Sequence, residues 1–220
     1  MQLRSLNNSQ GIDVSHWQGD IKWNLVKNDG FSFVFIKATE GVDYEDRCFS
    51  KNIKAAKEAG ILVGAYHFCT PASVEDAVNE AEHYIKVIKK YGGFDILDLP
   101  PVIDIEKNQG LNKQQISKIV SAWIEKVKEQ AKVQPIIYSY TYFIRDYLDE
   151  SLSDIPLWLA HYDSKPPLNY SGWKNWLFLQ YTDKGQVNGI KGNVDLNQYN
   201  GPRTELESFC MKCLTPIFLY

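Results

Sequence analysis

The segment Pro100-Pro101-Val102-Ile103-Asp104-Ile105-Glu106 runs from two prolines through an apolar stretch into two carboxylates spaced i, i+2. Alternate residues of a strand face the same side, so Asp104 and Glu106 project together, with Cα atoms about 6.6 Å apart. Two acids held this close push each other's pKa values apart, so one can stay protonated while the other ionises. Such a pair can protonate a glycosidic oxygen while a second carboxylate supports the positive charge that develops on the sugar. Alone, the two residues could equally end a strand in solvent. The rest of the chain has to supply the pocket.

The elements that would position them follow an alternation of short β-rich runs and longer helical patterns, the signature of βα units around a parallel sheet. Expected strands are Gly11–Ser15, Phe31–Lys37, Ile61–Tyr66, Val102–Ile105, Pro135–Ser139, Leu157–Ala160, Leu177–Tyr181 and Val194–Gln198. Most are nearly continuous apolar runs, as strands buried on both faces require. Eight strands close a (β/α) barrel. Helical stripes run through Phe49, Ile53, Ala56 and Ala59, through Ala77, Ala81, Tyr84, Ile85 and Ile88, and through Ile116, Ile119, Val120, Trp123 and Val127. A weaker one covers Tyr142–Leu148, and after Pro156 the pattern stops. The sequence therefore predicts an α/β fold: an irregular barrel with fewer than eight full helices. The barrel pattern ends near Gly201-Pro202. Residues 1–202 are expected to form one domain, and 203–220 a tail too short for another.

Composition narrows the function. The chain has 220 residues, 44% apolar and 23% charged, with a net charge of −3. That balance gives no general attraction to nucleic acid or anionic lipid, and no run is long enough to cross a membrane. Met1 to Gln10 is polar and lacks the apolar core of a secretory signal, so release by lysis, a holin or another route is expected. Six Trp, thirteen Tyr and ten Phe leave aromatic rings to spare for stacking on sugars. Four cysteines make no disulfide framework in a domain this size, and Cys210-x-x-Cys213 lacks the partner pair a metal site needs. No cofactor or metal is expected.

In barrel enzymes the site lies at the C-terminal ends of the strands. Polar residues there are Asp13 and His16, Lys37 and Glu40, Tyr66 and His67, Asp104 and Glu106, Tyr138, then Trp158, His161, Tyr162 and Asp163, Gln180 and Tyr181, and Asp195. Strands one and eight are neighbours in a closed barrel, which would set Asp13 beside Asp195. Each residue also has a plainer use: Lys37 could pair with Glu40, the histidines could be structural, and Asp13 and Asp195 could hold turns. A rim collecting this many acids is unfavourable without a function to offset the repulsion.

The segments Gly11-Ile12-Asp13-Val14-Ser15-His16-Trp17-Gln18-Gly19, Phe35-Ile36-Lys37-Ala38-Thr39-Glu40-Gly41, Gly64-Ala65-Tyr66-His67-Phe68, Asp104-Ile105-Glu106, Leu157-Trp158-Leu159-Ala160-His161-Tyr162 and Gln180-Tyr181 to Asp195 form an ordered set. In this order the chain closely resembles the glycoside hydrolase family 25 lysozymes, the CH-type N-acetylmuramidases, over about residues 10 to 201. The resemblance implies an eight-stranded irregular TIM-like barrel with about five helices. It also implies hydrolysis of the β-1,4 bond from N-acetylmuramic acid to N-acetylglucosamine in peptidoglycan. Carried over by motif, Glu106 resembles the general acid, and Asp104 the group that orients the substrate N-acetyl. Asp13 and Asp195 resemble the remaining acids. Lys37, Glu40, Tyr66, Tyr138, Trp158, Tyr162 and Gln180 resemble sugar contacts.

Three other readings fit parts of the sequence. His16, His67 and His161 with Asp13 and Asp104 could ligate zinc, although no metalloprotease-like spacing appears. A glycan-binding barrel without catalysis would keep the aromatics and lose the acid. A chitinase-like hydrolase would share the chemistry and differ in the bond cut. A monomer is expected, because an enzyme working on an insoluble mesh gains from an open groove.

Overall fold

Strands form where β-branched and aromatic residues run together, and the computed structural model, which describes residues 1–210, arranges them in one closed sheet. The barrel strands are β1 (Gln10–Val14), β2 (Phe33–Glu40), β4 (Leu62–Cys69), β5 (Val102–Ile105), β6 (Ile136–Tyr140), β7 (Leu157–Ala160), β8 (Phe178–Gly185) and β9 (Val194–Tyr199). A two-residue strand, β3 (Tyr44–Glu45), pairs antiparallel with the end of β2 and was not foreseen. The eight strands lie within a few residues of their expected positions.

One expectation about direction fails. Apart from the short β3, neighbouring strands from β1 through β8 are parallel, but β9 runs antiparallel to both β8 and β1. The segment from Gly185 to Val194 is too short for the helical crossover that a parallel return needs, so the chain folds back on itself. Among the described residues six α-helices surround the barrel: α1 (Trp23–Asn28), α2 (Phe49–Glu58), α3 (Val74–Lys90), α4 (Lys113–Ala131), α5 (Thr141–Tyr147) and α6 (Arg203–Phe209). No helix forms between Leu157 and Pro202, in line with the loss of helical pattern after Pro156.

The long helices start where side chains satisfy free backbone N–H groups. Ser73 accepts from Asp76 N at the head of α3, and Asn112 and Gln115 form a reciprocal capping box on α4. Their buried faces carry the expected stripes, including Ala77, Tyr84, Ile88, Ile116, Trp123 and Val127. These pack against the outside of the strands as one apolar layer. A second cluster fills the barrel itself, built from Phe33, Phe35, Trp158, Phe178 and Tyr199 and closed below by Leu206 of α6. Phe35 stacks on Trp158 at 4.4 Å, so the aromatic column reaches the floor of the site.

Gly64 makes room for that column. A Cβ there would lie 2.4 Å from the Phe35 ring, a contact that cannot be relieved without moving the ring. Gly64→Ala is therefore expected to destabilise the protein by about 1–3 kcal/mol, as overpacked cores do. Chemical denaturation measures it, and a loss below about 0.5 kcal/mol would show that the column can shift.

Candidate active site

Asp104 is the third residue of β5 and Glu106 follows the strand's last residue, so both side chains turn to the same cleft. The cleft, of about 310 Å³, is also lined by Asp13, Asp195, Lys37, Tyr66, Tyr138, Trp158, Tyr162 and Gln180. The structure thus gathers ten of the eleven site residues named from sequence; the exception is Glu40, whose carboxylate lies beside the cleft and binds Lys37 Nζ at 2.6 Å. A register shift in β2 between Lys37 and Thr39 aims Lys37 into the cleft and Thr39 outward toward His67.

Asp13 and Asp195 face each other across the β1–β9 ladder. Asp195 is the second residue of its strand rather than near its end. It reaches the site because β9 starts at the rim where the parallel strands finish. Neither acid holds a turn: both lie within strands.

The acids differ in how the protein treats their charge. Asp13 Oδ2 accepts from Gln180 Nε2 at 2.9 Å and Asn197 Nδ2 at 2.8 Å. Burial still raises its pKa to about 6, against the lowering effect of those two amides. Asp104 has no such help: its buried Oδ1 receives no N–H or O–H donor among the described residues. Burial, and then the adjoining Glu106, hold Asp104 well above the usual carboxylate range. Glu106 is raised by burial too, offset by a hydrogen bond from Asp104 and by the Lys107 charge. In the free protein the pair keeps one proton, held more tightly on Asp104, with Glu106 as its acceptor.

Asp195 is pushed up to about 8 by burial, then by the charges of Asp13, Asp183 and Glu106. The folded state therefore holds a proton that the unfolded chain, with a carboxyl near 3.8, releases. The resulting stability is fully present below the unfolded pKa and is lost as pH rises toward about 8. Asp195→Asn is expected to remove this loss, raising stability at pH 8 by on the order of 1 kcal/mol, or about 2–4 °C in Tm, with little change at pH 4. An equal effect at both pH values in a thermal melt would contradict the assignment.

Gln180 and Asn197 tie the floor together. Gln180 Oε1 accepts from Tyr138 at 2.9 Å and from Tyr162 at 2.5 Å while its amide donates to Asp13. Trp158 Nε1 donates to Asn197 Oδ1 at 2.7 Å. Asn197 was not found from sequence, where it reads as part of a polar run. Its one signal is its place two residues after Asp195, on the same strand face.

The histidines do not converge. His16 binds the buried Asp46, His67 lies behind the sheet between Thr39 and Glu80, and His161 Nε2 lies 3.0 Å from Lys165 O. Among the described residues, one group of three possible metal ligands lies close together, His67, Cys69 and Glu80, away from the cleft. Its polar atoms already meet Thr39, the Thr70 N–H and one another, and His67 stacks on Trp123. The zinc set weighed from sequence is not assembled. Cys210 is buried near the foot of the barrel, and Cys213 lies outside the described residues.

Beyond Glu106, Tyr138 and Tyr162 the cleft opens into a larger hollow of about 650 Å³ lined by Tyr140, Tyr142, Tyr170, Leu168 and Lys165. Those three residues line both spaces, so a single groove passes the acids on either side. A closed α/β barrel, acids at the strand ends and an aromatic groove through the site define a glycoside hydrolase.

Comparison with known proteins agrees. Residues 12–190 match the profile of glycosyl hydrolases family 25. Lysozyme M1 of Streptomyces globisporus is 37% identical over 208 residues, covering 90% of this chain and 69% of its own length. The uncharacterized protein YegX of Escherichia coli K12 is 39% identical over 204 residues, 90% of this chain and 72% of its own. The crystal structure of the lysozyme from Streptomyces coelicolor aligns with a TM-score of 0.85 at 33% identity, over 95% of this chain and all of that one. The chain belongs to glycosyl hydrolase family 25.

Proposed function

We propose that this protein is a muramidase that hydrolyses the β-1,4 bond between N-acetylmuramic acid and N-acetylglucosamine in bacterial peptidoglycan. Membership of the family, with lysozymes among its relatives, supports the activity class. The observation that carries the mechanism is the adjoining Asp104–Glu106 pair, in which the buried Asp104 Oδ1 has no donor among the described residues.

The donor that Asp104 lacks is one a substrate acetamido N–H supplies. A hydrogen bond to the ionised form lowers a carboxyl's pKa. Substrate binding would then favour the Asp104 anion and leave the pair's proton on Glu106, at the meeting point of the two halves of the groove. Glu106 protonates the glycosidic oxygen as the C–O bond breaks. The acetamido oxygen, oriented by Asp104, attacks the anomeric carbon and forms a cyclic oxazolinium intermediate. Water activated by the Glu106 carboxylate opens that ring and returns the proton. Asp13 and Asp195 add negative charge around the oxocarbenium-like state.

Within this reading the catalytic unit is residues 1–202, and 203–220 is a tail with no domain of its own. Leu206 of α6, fully buried under the barrel, packs the described part of that tail onto the catalytic unit. The enzyme works on the cell wall as a monomer, reached by lysis, a holin or another route.

The test is digestion of purified peptidoglycan, borohydride reduction of the new ends and their identification by mass spectrometry. Reduced muramic acid ends, formed equally with chelator present, are expected. Reduced glucosamine ends would move the bond cut, and loss of activity with chelator would overturn the metal-free mechanism.

A further inference from the structure

Trp17 is 81% exposed, whereas the other five tryptophans are each 5% exposed or less. A large ring left in water is unremarkable on a floppy loop, but this one is held firmly. It sits in a one-turn helix, His16–Gln18, closed by a reciprocal box in which the Ser15 hydroxyl accepts from Trp17 N and the Gln18 side chain accepts from Ser15 N. The His16 ring lies tilted beside the indole, with ring centroids 4.7 Å apart. His16 is itself fixed, its backbone N–H and Nδ1 both on Asp46 Oδ2, at 3.0 and 2.8 Å, with the Tyr44 hydroxyl 3.1 Å from Nδ1. Asp46 is buried and also accepts from Cys48 N.

The indole lines the same cleft as Asp13, Asp104 and Glu106 and does not border the larger hollow. The acids occupy the cleft where the attacked sugar must sit. A flat, preorganised aromatic at its outer edge offers its face to whatever extends past that sugar. Pyranose rings present apolar C–H faces that suit such a surface, and a rigid ring loses little conformational entropy on contact.

We propose that Trp17 is the stacking platform of a further glycan subsite, one sugar beyond the residue attacked, with His16 and Asp46 as the positioning residues that hold it. The proposal rests on the glycan-cleaving reading of the groove. It makes the enzyme a reader of chain length, engaging both sides of the bond and favouring cuts inside a strand over cuts at its end.

Because Trp17 is the single exposed tryptophan, acrylamide quenching of intrinsic fluorescence reports on it selectively. The probe is the N-acetylglucosamine–N-acetylmuramic acid tetrasaccharide, compared with the disaccharide, on the Glu106→Gln protein, with binding followed in parallel by calorimetry. The tetrasaccharide is expected to shield Trp17 and the disaccharide to shield it far less. Trp17→Ala is expected to raise KM for glycan strands by about tenfold, and Trp17→Phe to recover most of the loss. Calorimetric binding of the tetrasaccharide with Trp17 still fully quenched would overturn the subsite and leave the muramidase reading standing. No binding, with no cleavage by the wild type, would overturn both. Shielding that needs no sugar and grows with protein concentration would show an interface between copies and overturn the subsite.

Discussion

Glu106→Gln is expected to reduce turnover of peptidoglycan by about a hundredfold to ten-thousandfold while leaving glycan binding near wild type. The amide keeps the size and hydrogen-bonding capacity of the side chain and removes the proton that must reach the leaving oxygen, a contribution of about 10²–10⁴ in rate for a positioned acid. Single-turnover kinetics beside calorimetric binding separate the two effects. The folded protein should not suffer. The pKa of Glu106 is raised by burial, so its ionised form costs stability above the unfolded carboxylate value, and the amide carries no such cost. Melting temperatures at pH 8 should therefore equal or exceed those of wild type. Activity within tenfold of wild type would remove Glu106 from the acid role.

Asp104→Asn should cost about 10²–10³ in kcat with KM little changed. The asparagine still occupies the buried place beside Glu106, but it cannot carry the charge that orients an acetamido N–H and supports the positive ring. A selective loss in kcat distinguishes this role from simple binding, since removing a contact made equally in ground and transition states would raise KM alone. A second readout comes from Asp104→Ala. The pair's shared proton then has lost its tighter site, and Glu106 must hold it alone, so the alkaline limb of kcat/KM for the residual activity should move to lower pH. A shift to higher pH would mean that the hydrogen bond from Asp104, not the sharing of a proton, governs Glu106 in the free enzyme.

The sequence made the barrel legible because its strands are apolar runs whose edges are set by local chemistry. Val102–Ile105 and Leu157–Ala160 have the bounds expected for them. Direction was less accessible: nothing in Val194–Tyr199 itself states that the strand runs backwards, and the shortness of the preceding connection was the available clue. Helix α1, six residues long with no side-chain cap at Lys22, is too short to show a period. Asp104 and Glu106 were readable from spacing as a pair on one strand face, and the polar residues at the other strand ends marked the pair as catalytic. The polar floor was not, since the links from Asp13 to Gln180 and Asn197 span 167 and 184 positions. Asp46, which fixes His16 from 30 residues away, escaped for the same reason. Trp17 stood in a matched motif, but only its exposure beside buried partners separates it from a core tryptophan.

The reversed strand β9 also sets when the enzyme can first exist. A ribosome delivering this chain completes β1, with Asp13, almost at once, and β5, with Asp104 and Glu106, midway. Until Val194–Tyr199 has emerged, β1 lacks one of its two partners and Asp13 lacks the Asn197 amide that stabilises its charge. At about 5–20 residues per second, synthesis separates the first acid from the last by roughly ten seconds or more. A nascent or prematurely stopped chain therefore carries the acid pair without the site around it, and a wall-degrading activity stays silent until the barrel's final strand is made.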